Sequence, residues 1–222
     1  MTLRRRSGQP LRVALGVLAV VCLVSRPAAA QSANEAPSLA LRPFVVVTGQ
    51  AFAAKETFEA VFGESIQPFY GGGLELVSRA GVYLDITASR FKKTGERAFR
   101  ANGQTFRLGI PLEVTITPIE LSTGYRFGTA RAVVPYVGVG VGWYRYRETS
   151  DVADPDENVD TREAGFLAGS GVDFRAVRWF RVGVDVRYTR VPGILGEGGI
   201  SQETGEDDLG GVAARIKFTI GR

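Results

Sequence analysis

The sequence predicts an all-β protein, an eight-stranded, up-and-down antiparallel barrel that spans a membrane. Three observations lead to this fold class. Apolar and polar residues alternate in eight segments, as they do in strands whose two faces meet different surroundings. One face of these segments is almost entirely apolar, while the other carries glycine and charge. The connections between the segments alternate between short and long, which a soluble two-sheet sandwich has no reason to do.

The first 30 residues have the three parts of a secretory signal peptide. Four arginines within the first twelve residues precede an uncharged, mostly apolar run over 13–24, and the small residues of "PAAA" lead up to Gln31. The apolar run is shorter than the roughly 20 residues that a membrane-spanning helix needs. We therefore predict a cleaved signal peptide over 1–30, a short N-terminal segment over 31–41 and the barrel over 42–222.

Removal of the signal peptide changes the charge and the available chemistry. The first 30 residues hold five of the 27 basic residues and none of the 23 acidic ones, so the remainder has a net charge near −1. The basic isoelectric point is therefore no argument for a nucleic-acid partner. The sequence has no histidine, and its one cysteine lies in the signal peptide. Imidazole and thiol catalysis are thus excluded, and we expect no catalytic residue, no metal site and no cofactor.

Each of the eight predicted strands has one apolar face, because successive side chains of a strand point to opposite sides. The alternation is weakest in the first strand, "PFVVVTGQAFA", where Val45 and Val47 are assigned to the apolar face. In chain order, the apolar-face positions of the other strands are Tyr70, Gly72, Leu74 and Leu76; Val82, Leu84, Ile86 and Ala88; Ile119, Leu121, Thr123, Tyr125 and Phe127; Val137, Val139, Val141 and Trp143; Phe166, Ala168, Val172 and Phe174; Phe180, Val182, Val184, Val186 and Tyr188; and Val212, Ala214, Ile216, Phe218 and Ile220.

Glycine is frequent on the polar faces, most of all in the fifth strand, "PYVGVGVGWYRY", where it occupies every second position. Glycine weakens the interior of a strand, so this usage needs a reason. We expect the polar face to line a narrow barrel, where glycine leaves room for long Arg, Lys and Glu side chains of neighbouring strands. The apolar face then meets lipid, and Tyr125, Trp143 and Tyr188 are predicted to form aromatic girdles at the edges of the lipid-facing band.

The connections between the predicted strands alternate in length. Three are short, with the sequences "SRAG", "TARA" and "AVRW", and four are long, over 53–68, 92–117, 148–163 and 192–208. Short periplasmic turns that alternate with long extracellular loops are typical of outer-membrane barrels. The same pattern puts both chain ends on the periplasmic side.

From about Leu41 to Arg222 the chain resembles the small eight-stranded outer-membrane barrels, the group of the OmpA transmembrane domain, OmpX and OmpW. The matching features are the strand "PYVGVGVGWYRY", the strand end "GYRFG" and the closing strand "ARIKFTIG". The resemblance implies a monomer in the bacterial outer membrane, in contact with lipid and lipopolysaccharide, and inserted by the outer-membrane assembly machinery. Many members of the group end on an aromatic residue that this machinery reads. This chain ends "FTIGR", and Phe218 is the candidate for that role.

Charged residues are frequent on the faces predicted to point into the barrel. Charges removed from water must be paired, so we interpret them as a salt-bridge network that plugs the interior, as the smallest barrels of this group commonly are plugged. The alternative is a narrow, porin-like passage for small or hydrophobic solutes. Asp185 should lie next to Arg215 or Lys217, since neighbours across two strands are about 5 Å apart. The predicted inward charges are Glu75, Asp85, Glu120, Arg126, Asp173, Arg175, Arg181, Asp185, Arg187, Arg215 and Lys217.

Two of the long connections are strongly charged. The third, "ETSDVADPDENVDTRE", is acidic, but it lacks the glycine turn and the final glutamate of an EF-hand, so a solvated loop is preferred to a calcium site. The second is basic and is predicted either to contact lipopolysaccharide phosphates by charge attraction or simply to remain soluble. Its basic residues are Arg90, Lys92, Lys93, Arg97, Arg100 and Arg107. We therefore expect a non-enzymatic outer-membrane protein whose extracellular loops serve surface interaction or membrane integrity.

Overall fold

The computed structural model describes residues 39–101, 104–150, 158–196 and 199–221. The predicted signal peptide and residues 31–38 lie outside this range. The eight strands are β1 (Leu39–Phe52), β2 (Ile66–Ser78), β3 (Val82–Ala101), β4 (Gln104–Arg126), β5 (Val133–Thr149), β6 (Val159–Val177), β7 (Phe180–Arg190) and β8 (Gly211–Ile220).

The strands form a closed barrel in which each pairs antiparallel with its neighbour in sequence, and β1 closes the ring against β8. The predicted eight-stranded, up-and-down topology is confirmed. β1 begins at Leu39, three residues before the predicted start of the barrel at 42. The turns over 79–81, 127–132 and 178–179 are short and lie at one end of the barrel, which we call the short-turn end. The opposite end is the long-connection end.

Strands occupy much of what the sequence analysis assigned to loops. β3 and β4 continue to the pair Ala101 and Gln104, so that most of 92–117 is a protruding β-hairpin with a bulge between Glu96 and Ala98. β5 and β6 likewise extend into the third connection and stay paired up to Glu148 and Val159. Outside lipid, neither face of a hairpin has to be apolar. The alternation that marks a membrane strand therefore fades while the backbone pairing continues.

The first and fourth connections contain the two helices, α1 (Lys55–Phe62) and α2 (Gly199–Thr204). α1 ends at Gly63, whose φ of 82° is the left-handed conformation common just after a helix C-terminus. In the described part of the chain, no helix is both long and apolar enough to cross a membrane.

The outer surface of the barrel is an apolar band with aromatic residues at both edges. Tyr125, Trp143 and Tyr188 all point outward, with 42, 56 and 47% of their surface exposed. Tyr125 lies near the short-turn end, and the other two lie near the long-connection end. From Phe180 to Tyr188 the chain rises about 20 Å along the barrel axis, taking about 3.3 Å per residue and a strand tilt of about 40°. This height is close to the roughly 25 Å of a lipid-facing band.

The barrel interior as the candidate functional site

Arg126 lies at the centre of a buried charge cluster in the short-turn half of the barrel. Its guanidinium donates hydrogen bonds to the carboxylates of Glu75 and Asp173, and all three side chains are 1–2% exposed. The rings of Tyr83 and Tyr136 lie 5.0 and 4.7 Å from the guanidinium carbon, near enough for cation–π attraction. The register of five consecutive strands, β2 to β6, brings these five side chains to one point.

Glu75 is shared by three cations. Besides Arg126, the ammonium of Lys217 lies 3.0 Å from its carboxylate and the guanidinium of Arg42 lies 3.8 Å from it. Lys217 also lies 3.5 Å from the carboxylate of Asp85. Arg42 was absent from the predicted set, although its even position on β1 matches that of the buried Phe44. The consecutive valines of this strand obscured the signal.

Two further pairs occupy the middle of the interior. The guanidinium of Arg215 donates to Asp185 at 2.6 and 3.0 Å, and the hydroxyl of Tyr136 donates to the same carboxylate at 2.7 Å. Arg187 donates to Glu120, which also accepts a hydrogen bond of 2.7 Å from the hydroxyl of Tyr144. Each carboxylate here is therefore held by one guanidinium and one tyrosine.

The two remaining predicted residues lie at the rim of the short-turn end. Arg175 and Arg181 face each other across β6 and β7, and Arg175 donates to the carbonyl of Thr129 at 3.2 Å. Among the described residues, the buried ion pairs join five cations and five carboxylates: Arg42, Arg126, Arg187, Arg215 and Lys217 with Glu75, Asp85, Glu120, Asp173 and Asp185. This buried network carries no net charge.

An apolar cluster fills the long-connection half of the barrel. Phe52 at the end of β1 stacks on Phe58 of α1, with ring centroids 3.7 Å apart, and Phe69 and Phe91 continue the packing. α1 therefore lies over the mouth of the barrel, and its apolar side faces the barrel interior. Short apolar runs inside predicted loops, such as "FEAVF" over 58–62, were the only sequence signal for it. The buried members of this apolar cap are Phe52, Ala54, Phe58, Phe69, Phe91, Leu112, Val114, Ile116, Tyr144, Tyr146, Val191, Ile194, Leu195 and Leu209.

Side chains from two other connections hold both ends of α1. At its N-terminus, the carboxylate of Glu206 accepts hydrogen bonds from the amides of Glu56 and Thr57, at 2.9 and 2.8 Å, and from the Thr57 hydroxyl at 2.7 Å. At its C-terminus, Arg107 donates to the carbonyls of Glu59 and Ala60. An anion at the N-terminus and a cation at the C-terminus both complement the helix dipole.

Several inward glycines lie against tyrosine rings, whereas the sequence analysis expected them to make room for long charged side chains. A Cβ added at Gly138 would lie 2.1 Å from the hydroxyl of Tyr83. A Cβ at Gly171 would lie 2.4 Å from the Cβ of Asp185 and 2.7 Å from the ring of Tyr136. The tyrosines that hold the ion pairs therefore need glycine on the facing strand.

A small cavity of about 40 Å³ separates the charged and apolar parts of the interior. Glu120, Tyr144, Arg187 and Arg215 are among the residues that line it. One water needs about 10–15 Å³ by the same measure, so the cavity has room for only a few waters.

The charged connections are partly built into the fold. Of the basic set in the second connection, Lys93 pairs with Glu64 at 2.7 Å and Arg100 pairs with Glu56 beside α1.

Four acidic residues of the third connection, Asp151, Asp154, Asp156 and Glu157, lie outside the described residues. Asp160 lies on β6, where hydrogen bonds from Arg145 hold its pKa well below the ordinary value. Within the described ranges, no group of three or more metal-ligating residues occurs.

The chain belongs to the family of outer-membrane β-barrel proteins, since the family model described as outer membrane protein beta-barrel domain matches residues 16–213. No curated protein sequence matches the chain.

Solved barrels of similar topology come from several bacteria. The N-terminal barrel domain of Pseudomonas aeruginosa OprF is 13% identical, with a TM-score of 0.45, and the match covers 82% of this chain and 97% of that one. OprG from the same organism is 13% identical, with a TM-score of 0.48, over 83% of this chain and 93% of that one. Ail of Yersinia pestis is 11% identical, with a TM-score of 0.45, over 82% and 95%.

Proposed function

We propose that the protein is a non-enzymatic barrel of the bacterial outer membrane with a closed interior, whose extracellular part provides a folded surface for interaction or for membrane integrity. The observation that carries this proposal is the filling of the barrel by two successive layers. The short-turn half holds a neutral network of buried ion pairs, and the mouth is packed with the apolar cap under α1. A solute would have to displace both layers to cross.

The chemistry of the chain supports a role without catalysis. A serine nucleophile in an acyl-transfer enzyme usually needs an imidazole base, and the sequence has no histidine. The hydroxyls of Tyr136 and Tyr144 inside the barrel already donate to the carboxylates of Asp185 and Glu120. These interior groups are therefore engaged in mutual pairing.

Conductance distinguishes the closed barrel from the alternative of a narrow passage. We expect the purified full chain, reconstituted in planar bilayers, to give no steady, selective current. Insertion is verified in the same preparation by the different migration of unheated and heated samples in mild SDS. A steady selective current that disappears in Arg187→Ala or Arg215→Ala, with the heat-dependent migration retained, would establish the passage instead.

The location is tested by fractionation of cells that express the chain. We expect the protein in the outer-membrane fraction, resistant to carbonate and high salt and extracted only by detergent. Release by either wash would contradict the outer-membrane placement, because an inserted barrel is held by its apolar band and not by charge.

A further inference from the structure

Two arginines inside the short-turn end of the barrel have no carboxylate partner among the described residues. Arg175 on β6 and Arg181 on β7 are cross-strand neighbours on the inward face. Arg181 is only 7% exposed, and the described chain offers it no hydrogen bond or ion pair. Arg175 donates to the carbonyl of Thr129 at 3.2 Å, which leaves its charge uncompensated. A cation removed from water needs an anionic partner, and neither arginine has one in this part of the structure.

The neighbouring parts of the described chain have no spare carboxylate to supply. The three turns at this end contain three arginines and no acidic residue. Asp173, the next inward residue of β6, is bound by Arg126. Arg181 is repelled by Arg42 and by Arg175, and each repulsion is stronger than the attraction that Asp173 exerts. Since the buried ion-pair network is neutral, Arg175 and Arg181 give this end of the interior two excess positive charges.

A buried hydroxyl group without a partner lies beside these arginines. Thr219 on β8 is the cross-strand neighbour of Arg181 and is 2% exposed. Within the described residues its Oγ1 has no hydrogen-bond partner, although buried hydroxyls normally have one. On the other side of β8, Phe44 of β1 lies opposite Thr219, and Arg42 is the next inward residue of β1 towards the short-turn end. Four consecutive strands of the closed ring therefore carry Arg175, Arg181, Thr219 and Arg42, which we call the rim arc.

We propose that the rim arc binds a phosphate dianion, either inorganic phosphate or the phosphate group of a small soluble monoester. The planar guanidinium groups of Arg175 and Arg181 can each donate two hydrogen bonds to phosphate oxygens. The hydroxyl of Thr219 can donate one more, which would satisfy the orphaned group. A phosphate monoester carries a charge of about −1.5 to −2 at pH 7, which matches the two excess positive charges. A carboxylate or a chloride ion would compensate only one of them.

The phosphate comes from water and not from a lipid headgroup, because the rim arc faces the inside of the barrel. The adjacent outward residues, such as Phe174 and Ile220, are apolar and 47 and 53% exposed, so they belong to the lipid-facing surface. Arg181 lies one residue from the start of β7, and it is therefore reached from the short-turn end. Binding at this mouth requires only the folded barrel. It goes beyond the proposed function and is independent of whether the interior conducts.

The test is isothermal titration of the purified full chain, folded in nanodiscs of zwitterionic lipid, in chloride buffer of constant ionic strength. Inorganic phosphate and methyl phosphate are titrated separately, and the tighter of the two identifies the form of phosphate that the site takes. We expect Arg181→Gln to weaken the binding roughly 10- to 100-fold, the usual effect of losing hydrogen bonds from a charged group. Thr219→Val removes no charge, so it tests the site even if Arg181→Gln fails to fold, and it should weaken the binding about 2- to 10-fold.

Arg178→Gln is the matched control, because it removes an exposed arginine from the turn next to Arg181, and it should bind phosphate like the wild type. Urea unfolding gives a second measurement, since a ligand stabilises the folded state to which it binds. Phosphate should raise the urea midpoint of the wild type and of Arg178→Gln, and it should hardly change that of Arg181→Gln. No binding by the wild type, equal weakening in Arg178→Gln, or an equal rise of the midpoint in Arg181→Gln would each overturn the proposal.

Discussion

Asp185 on β7 and Arg215 on β8 are direct cross-strand partners, and their side chains form a two-point ion pair with N–O distances of 2.6 and 3.0 Å inside the barrel. Both side chains are nearly inaccessible, at 3 and 6% exposed. The strand register alone therefore brings the two groups together, with Tyr136 as the third member.

Replacement of Asp185 by alanine should strongly destabilise the barrel. The change leaves the buried guanidinium of Arg215 without its carboxylate, at a cost of about 3–5 kcal/mol. The measurement is urea unfolding of the reconstituted protein, followed by the fluorescence of the outward-facing Trp143 and Trp179. Val184→Leu is the control, because Val184 is the neighbouring lipid-facing residue and should cost almost nothing. An Asp185→Ala midpoint equal to that of the wild type would contradict the inward orientation of this face.

The fold and the position of the candidate site could be predicted because the membrane imposes a strict pattern. Because lipid lies outside and the interior is narrow, apolar and polar residues alternate along each strand. On β7, Asp185 and Arg187 alternate with Val184 and Val186, so the sequence alone assigns the two charged side chains to the inward face. The inward orientation of Arg42 could not be predicted, because valines occupy both faces of β1. The apolar cap could not be predicted from the sequence, because it combines strand residues such as Phe52 and Phe69 with residues of two connections, such as Phe58 and Leu195, which contact each other only in the folded protein.

The length of the hairpin was also beyond sequence reasoning. Outside the lipid band, Lys92 to Ala101 has no apolar face to reveal the strand. The tyrosines inside the barrel illustrate a similar limit. The alternation predicts that Tyr83 and Tyr136 point inward, but it gives only the face on which a side chain lies. The partners of these tyrosines depend on the register between neighbouring strands, which the alternation does not give.

Substitution of Gly138 by alanine should destabilise the protein by about 1–3 kcal/mol, the usual range for overpacking. The added Cβ would lie 2.1 Å from the hydroxyl of Tyr83, so Tyr83→Phe in the same chain should recover part of the loss. Gly49→Ala is the matched control, because its Cβ would have no atom within 4 Å. The measurement is again the urea midpoint. Equal effects of the two glycine substitutions, or no recovery with Tyr83→Phe, would show that ring contact is not the reason for glycine at 138.

Loss of the Glu206 carboxylate should loosen α1 without unfolding the barrel. Glu206→Ala removes three hydrogen bonds from the start of the helix, and loss of such a cap costs about 0.5–2 kcal/mol. Hydrogen exchange at the amides of Glu56 and Thr57 should accelerate by roughly 2- to 30-fold as a result, while amides in the membrane strands stay protected. Glu203→Ala, on the exposed surface of α2, should leave both regions unchanged. Exchange in α1 that is the same in both variants would mean that Glu206 does not hold the helix.

Glu148 lies on β5 beyond the aromatic edge at the long-connection end, and its carboxylate accepts a hydrogen bond from the hydroxyl of Tyr146. Burial raises the pKa of its carboxyl group above the ordinary value, and the Tyr146 hydrogen bond and the charge of Arg97 offset only part of this shift. The folded protein therefore holds this proton more tightly than the unfolded chain. The ionised group costs stability at neutral pH, and that cost disappears as the pH falls below the ordinary pKa of a glutamate, about 4.3.

Glu148→Gln should accordingly unfold at a higher urea concentration than the wild type at pH 7, because the neutral amide can still accept from Tyr146 and needs no charge to be buried. The difference should shrink as the pH is lowered from 7 to 4, where the wild-type carboxyl group becomes neutral as well. Glu163→Gln, at an exposed position of β6, is the control and should shift the midpoint little at any pH. A Glu148→Gln variant that is no more stable than the wild type at pH 7, or whose advantage grows towards low pH, would mean that this carboxyl group is not desolvated in the folded protein.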